Sequence, residues 1–261
     1  MSAPMVAVST KAYFGVAHTR RWVRAVAALG PVAADYGVEL AVLPSFPLLE
    51  STATMLAGTG VAWGAQNVAA SDAGQQTGEV PAGTLAELGC SYIEVGHAER
   101  RSLFGEDEAT VRAKVGRVVA HSMVPLICVG EPERTEPDNA ADYSVAQLAD
   151  AIRDVPNAPV VVAYEPVWAI GAAQPACPQH VTRVTTALRA ALATRGGPSR
   201  VLYGGSAAPG TATDLHGAVD GLFVGRFGHD VEALRAVVAE VAEVAAPATT
   251  SPDPFTERRS S

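Results

Sequence analysis

The sequence predicts a single (β/α)8 barrel of eight parallel strands, and three observations carry that prediction. The chain has 261 residues, close to the roughly 250 of one such barrel. Short apolar runs alternate with Ala-rich helical stretches to the end, and such alternation builds a parallel sheet covered by helices. Eight of these runs occur, enough strands to close the sheet on itself.

In chain order the runs are Met5 to Ser9, Val38 to Leu43, Val61 to Ala65, Tyr92 to Val95, Val124 to Val129, Pro159 to Tyr164, Arg200 to Tyr203 and Gly221 to Val224. Each is near-continuously apolar, as a strand buried on both faces requires. The first leads into Ser9-Thr10-Lys11. An open doubly wound sheet usually has a Gly-rich turn there. Helical patterns lie between the runs, among them Arg20 to Tyr36, Thr110 to His121, Gln179 to Arg195 and Asp230 to Val244. From Ala245 onward Pro, Thr and Ser dominate. The barrel is therefore expected over 1–244, and 245–261 as a disordered tail.

Composition excludes several function classes. Hydrophobic residues make up 48% and aromatic residues 6%, so Ala, Val and Leu must build the core. Cys90, Cys128 and Cys177 are odd in number, widely spaced and without CxxC or zinc-spaced histidines, which reads as reduced, buried thiols of a cytoplasmic protein. No export signal is visible, and no apolar run approaches the roughly 18 residues of a membrane span. A soluble protein with no membrane partner is expected. A formal net charge of −8 argues against a nucleic-acid partner, which calls for clustered Lys and Arg.

Barrels of this kind assemble their sites from loops at the C-terminal ends of the strands. Those loops carry Lys11, Gly96-His97-Ala98-Glu99-Arg100-Arg101, Glu165-Pro166-Val167-Trp168-Ala169-Ile170-Gly171, Gly204-Gly205-Ser206 and Gly225-Arg226. A carboxylate, an imidazole, an ammonium and glycine-flanked amides converge on one mouth. That inventory suits proton transfer beside a carbonyl on an anionic substrate. Taken singly, each has a plainer reading: Glu165 as the end of a strand, His97 as a structural histidine, Lys11 as a solvated charge, the glycines as turns.

Four motifs together remove the plainer readings. Tyr164-Glu165-Pro166-Val167-Trp168-Ala169-Ile170-Gly171, Tyr203-Gly204-Gly205-Ser206, Gly96-His97 through Arg101, and Gly64-Ala65-Gln66-Asn67 followed by Thr77-Gly78-Glu79 resemble the triosephosphate isomerase family, from about Met5 to Val244. That family, whose fold is the TIM barrel, is itself the standard example of a carboxylate base paired with a neutral histidine. The resemblance implies Glu165 as base, His97 as electrophile and Lys11 as the cation that offsets phosphate and enediolate charge. It implies Glu99 as partner of Lys11. Backbone N–H groups of Gly171, Ser206, Gly225 and Arg226 would receive the phosphate, and Ser9 would contact a substrate oxygen. Pro166 to Ala176 resembles the family's lid, with Pro166 and Trp168 as its first hinge.

Departures from the family pattern cluster around the substrate. Ser9 stands for an asparagine, and Ala98 for a serine that holds the base and begins a helical turn. In the lid's second hinge Ala173-Gln174-Pro175-Ala176 replaces Gly-Lys-Thr-Ala, and Arg226 replaces the second glycine after the last strand. The resemblance implies interconversion of glyceraldehyde 3-phosphate and dihydroxyacetone phosphate, as in glycolysis and gluconeogenesis. Two alternatives remain: isomerisation of a four-carbon phosphosugar such as erythrulose phosphate, and catalytically weak sugar-phosphate binding. No cofactor or metal is implied. The segment from Gln66 to Glu79 resembles the loop that family members insert into a partner subunit, which implies a homodimer.

Overall fold

A computed structural model describes residues 3–72, 74–172 and 175–245. The element order is β1 (Met5–Ser9), α1 (Val16–Ala27), α2 (Gly30–Asp35), β2 (Glu39–Leu43), α3 (Leu49–Leu56), β3 (Ala62–Ala65), α4 (Ala82–Glu87), β4 (Tyr92–Val95), α5 (Ala98–Phe104), α6 (Glu108–Ala120), β5 (Val124–Val129), α7 (Pro137–Ala151), β6 (Val160–Tyr164), α8 (Pro178–Ala193), β7 (Ser199–Tyr203), α9 (Thr211–Asp214), β8 (Gly221–Val224) and α10 (Val231–Ala245). Each strand pairs in parallel with the next, and β8 returns to β1 to close the barrel. The expected tail lies almost wholly outside the described residues.

Side-chain parity divides the barrel into two cores. Val6, Val8, Val42, Ile93, Val162 and Val224 point outward into the helical layer. Met5, Ala7, Ala41, Tyr92, Leu126, Cys128, Ala163 and Phe223 fill the interior. Aliphatic residues dominate both, as the composition requires, yet the Tyr164 and Tyr203 rings are also fully buried. Small interior residues admit close strand approach. A Cβ on Gly221 would stand 1.7 Å from the Met5 carbonyl oxygen, so only glycine lets β8 close onto β1 here.

Two sequence expectations need correction. The expected helix from Arg20 to Tyr36 is two helices, because Pro31, lacking an N–H, sits in the first turn of α2 and the chain turns a corner ahead of it. Cys90 and Cys128 are buried, whereas Cys177 is exposed. It occupies the N-cap position of α8, beyond that helix's buried stripe.

Candidate active site

Inward-facing positions change from apolar to polar at the C-terminal end of the barrel, where Ser9, Glu94 and Glu165 are all buried. Ser9, Lys11, Glu165, Gly171, Ser206, Gly225 and Arg226 line one cavity of about 470 Å³, together with Tyr13, Phe223 and Phe227. Glu165 follows β6 directly. Gly204 makes room for it, since a Cβ there would lie 2.8 Å from Oε1.

His97 shows how local structure sets chemistry. It is the N-cap of α5, and its Nδ1 accepts from the Glu99 backbone N–H at 3.1 Å. A ring nitrogen that accepts carries no proton, so the ring is neutral with its hydrogen on Nε2. Nε2 points at Glu165 Oε2 across 3.6 Å, too far for a hydrogen bond. Both atoms are buried and unpartnered among the described residues, although buried polar groups normally find partners. The cap is thus the histidine and not the residue after it, so Ala98 in place of a serine forfeits no cap. The methyl of Ala98 instead lines a void of about 10 Å³ beside Glu165 and offers the carboxylate no donor.

Lys11 has a left-handed backbone, φ 47°, an uncommon conformation for a residue with a Cβ. Its carbonyl accepts from Gln66 Nε2 at 3.1 Å and Ser45 Oγ at 3.0 Å, which pins the loop. The ammonium meets Glu99 at 2.8 Å. Burial alone would lower its pKa, but the Glu99 hydrogen bond and the Glu165 and Glu94 charges outweigh burial and hold it above its ordinary value. Lys11 stays cationic.

Where the resemblance places the phosphate, the amides are partly occupied. Gly171 N–H donates to Ser206 Oγ at 3.0 Å, Ser206 Oγ donates to the Ala169 carbonyl at 2.6 Å, and Ser206 N–H is turned onto the Gly204 carbonyl at 3.0 Å. Gly171 and Ser206 are therefore brought to the cavity but not presented as open donors. A Cβ on Gly171 would come within 3.5 Å of Arg226 Nη2, so the guanidinium reaches across the cavity to the lid. Pro166 caps a single 3-10 turn, Val167–Ala169, with Trp168 at its centre, and the Trp168 indole donates to Glu131 Oε1 at 2.7 Å. Ala173 and Gln174 of the second hinge lie outside the described residues.

Residues beyond the motifs also shape the site. Glu131, 2% exposed, ties Trp168, Tyr164 and His180 together at the lid's base. Glu94 accepts from Ser9 Oγ at 2.8 Å. Burial pushes its carboxyl up to about 7, reinforced by the Glu165 charge and opposed by the Ser9 hydrogen bond and the Lys11 charge. Its signal in the sequence was parity, since a charge two residues after Tyr92 in a four-residue strand shares the inward face.

Among the described residues, no group of three or more His, Cys, Asp and Glu is placed to hold a metal ion, and no helix is long and apolar enough to cross a membrane. The profile of the triosephosphate isomerase family matches residues 4–241. The chain is 40% identical to an L-erythrulose-1-phosphate isomerase of Pectobacterium atrosepticum, over 89% of this chain and 93% of that one. It is 42% identical to a triosephosphate isomerase of Thermus thermophilus, over 77% and 84%, and 36% identical to a probable triosephosphate isomerase 2 of Listeria monocytogenes, over 93% and 99%. With the closed barrel and the facing imidazole and carboxylate, these matches identify the chain as an isomerase that belongs to the triosephosphate isomerase family.

Proposed function

We propose that the protein interconverts an aldose and a ketose phosphate through an enediolate, with glyceraldehyde 3-phosphate and dihydroxyacetone phosphate as the pair. The observation that carries this reading is the unpartnered pair of buried atoms, His97 Nε2 and Glu165 Oε2, 3.6 Å apart beside the cavity. Glu165 removes the proton from the carbon next to the carbonyl and returns it to the neighbouring carbon. Neutral His97 donates from Nε2 to the carbonyl oxygen and shuttles a proton between the two oxygens as the double bond moves. Lys11 offsets the developing charge in a site where little water competes. Arg226 and the amides at Gly171, Ser206 and Gly225 receive the phosphate once the Ser206 Oγ contacts to the lid and the Ser206 N–H contact to Gly204 exchange for contacts to the anion.

A four-carbon sugar phosphate is the second reading. Ser9 is shorter than the asparagine it replaces and so leaves room for a further carbon, and the relative from Pectobacterium carries the name of such an isomerase. Comparing kcat/KM for three- and four-carbon ketose phosphates tests the choice. A ratio favouring the four-carbon sugar replaces the first reading with the second, and turnover of neither contradicts both.

We further propose a cytoplasmic homodimer. Tyr13, Leu103 and Phe104 are 60%, 72% and 63% exposed, and apolar surface of this kind calls for cover. Light scattering at the mass of one chain would contradict it.

A further inference from the structure

Glu94 is 3% exposed and faces into the barrel. Charged or titratable groups face it from several elements: Lys11 from the loop after β1, His97 from the end of β4, Glu165 from the end of β6, and the Cys128 thiol from β5. Among the described residues its one hydrogen bond is the one it accepts from Ser9, on the cavity wall. An ionised carboxyl is costly in an apolar layer, and an apolar side chain would fill this position without that cost.

A hydroxyl has one proton and two lone pairs. With its proton committed to Glu94, Ser9 turns a lone pair toward the cavity. We propose that Glu94 is a positioning residue: it holds the Ser9 proton away from the cavity, so that Ser9 accepts a hydrogen bond from a substrate hydroxyl and favours sugar phosphates that present one there. The asparagine that the family resemblance implies would offer amide hydrogens instead. The Ser9–Glu94 pair thus reverses the sense of the contact. This inference rests on the isomerase reading. Protonation of Glu94, centred at about 7, lets it donate to Ser9 and frees the Ser9 proton to turn outward. Affinity for the hydroxyl therefore weakens on the acid side.

Steady-state kinetics between about pH 5 and about pH 9 on the wild type, Glu94→Gln, Glu94→Leu, Ser9→Ala and the Ser9→Ala/Glu94→Leu double variant test the proposal. The expected result is a wild-type KM that rises below neutrality at nearly constant kcat, with that rise absent in Glu94→Gln. Ser9→Ala and Glu94→Leu should each raise KM about ten-fold, and the double variant no further than Ser9→Ala alone. Multiplying effects, an unchanged KM in Glu94→Leu, or a Glu94→Gln variant that keeps the acid-side rise would each overturn it. Should Glu94→Leu fail to fold, the Glu94→Gln profile decides. A wild type that turns over no sugar phosphate overturns the isomerase reading. The same cycle, read calorimetrically as dissociation constants for the sugar phosphate, then judges the pairing by whether the losses couple or multiply.

Discussion

At the residue scale, the groups proposed to move the proton and those proposed to orient the substrate differ in how far sequence reaches them. Glu165 and His97 sit in motifs, Lys11 stands just past the first strand, and the structure gathers them at one mouth. Glu94 sits in an apolar run, and only its parity on the strand betrays it. The neutral state of His97 depends on a backbone N–H that arrives from the next helix, which no side-chain pattern displays. Glu94 also has a stability consequence. Its carboxyl moves from an ordinary 4.5 up to about 7, chiefly through burial. The folded state therefore binds more protons than the unfolded state across that window, and stability falls as pH rises through it. The contribution is fully present below 4.5 and lost above about 7. Glu94→Gln should melt about 5 °C above the wild type beyond neutrality, with the gap closing toward acid pH. Parallel melting curves across the window would contradict this.

At the element scale, strand positions were legible because two-sided burial writes continuous apolar runs, and every observed strand begins within one residue of its expected start. Helices were less so. The corner between α1 and α2 follows from Pro31, whose signal is overridden in a pattern scan by the Ala-rich residues around it. Among the described residues, the segment at 169–171 is joined to the loop after β7 by one hydroxyl, since Ser206 Oγ donates to the Ala169 carbonyl and accepts from Gly171 N–H. Ser206→Ala removes both links. Hydrogen exchange at 169–171 should accelerate, and kcat should fall about ten-fold, with more inorganic phosphate released per turnover as water enters the site. Unchanged exchange in the variant would mean the lid is held elsewhere.

At the scale of the whole molecule, closure makes every strand depend on the last pairing, between β8 and β1. Gly221→Ala places a methyl group 1.7 Å from the Met5 carbonyl oxygen, and the contact is backbone that cannot move aside. The variant should lose several kcal/mol of stability, at or beyond the large end of single-substitution effects. A denaturation midpoint equal to the wild type's would contradict the register of closure. The closed barrel also holds base, histidine and cation on three separate strand ends, and their joint action is the proposed reaction. Deuterium uptake from heavy water into the carbon beside the substrate carbonyl reads that action directly. Wild type should incorporate the label into a ketose phosphate, and Glu165→Gln should slow incorporation by about 10²–10⁴-fold without loss of melting temperature. Label entering equally fast in Glu165→Gln, or not at all in the wild type despite sugar-phosphate binding, would contradict the assignment of Glu165 as the residue that moves the proton.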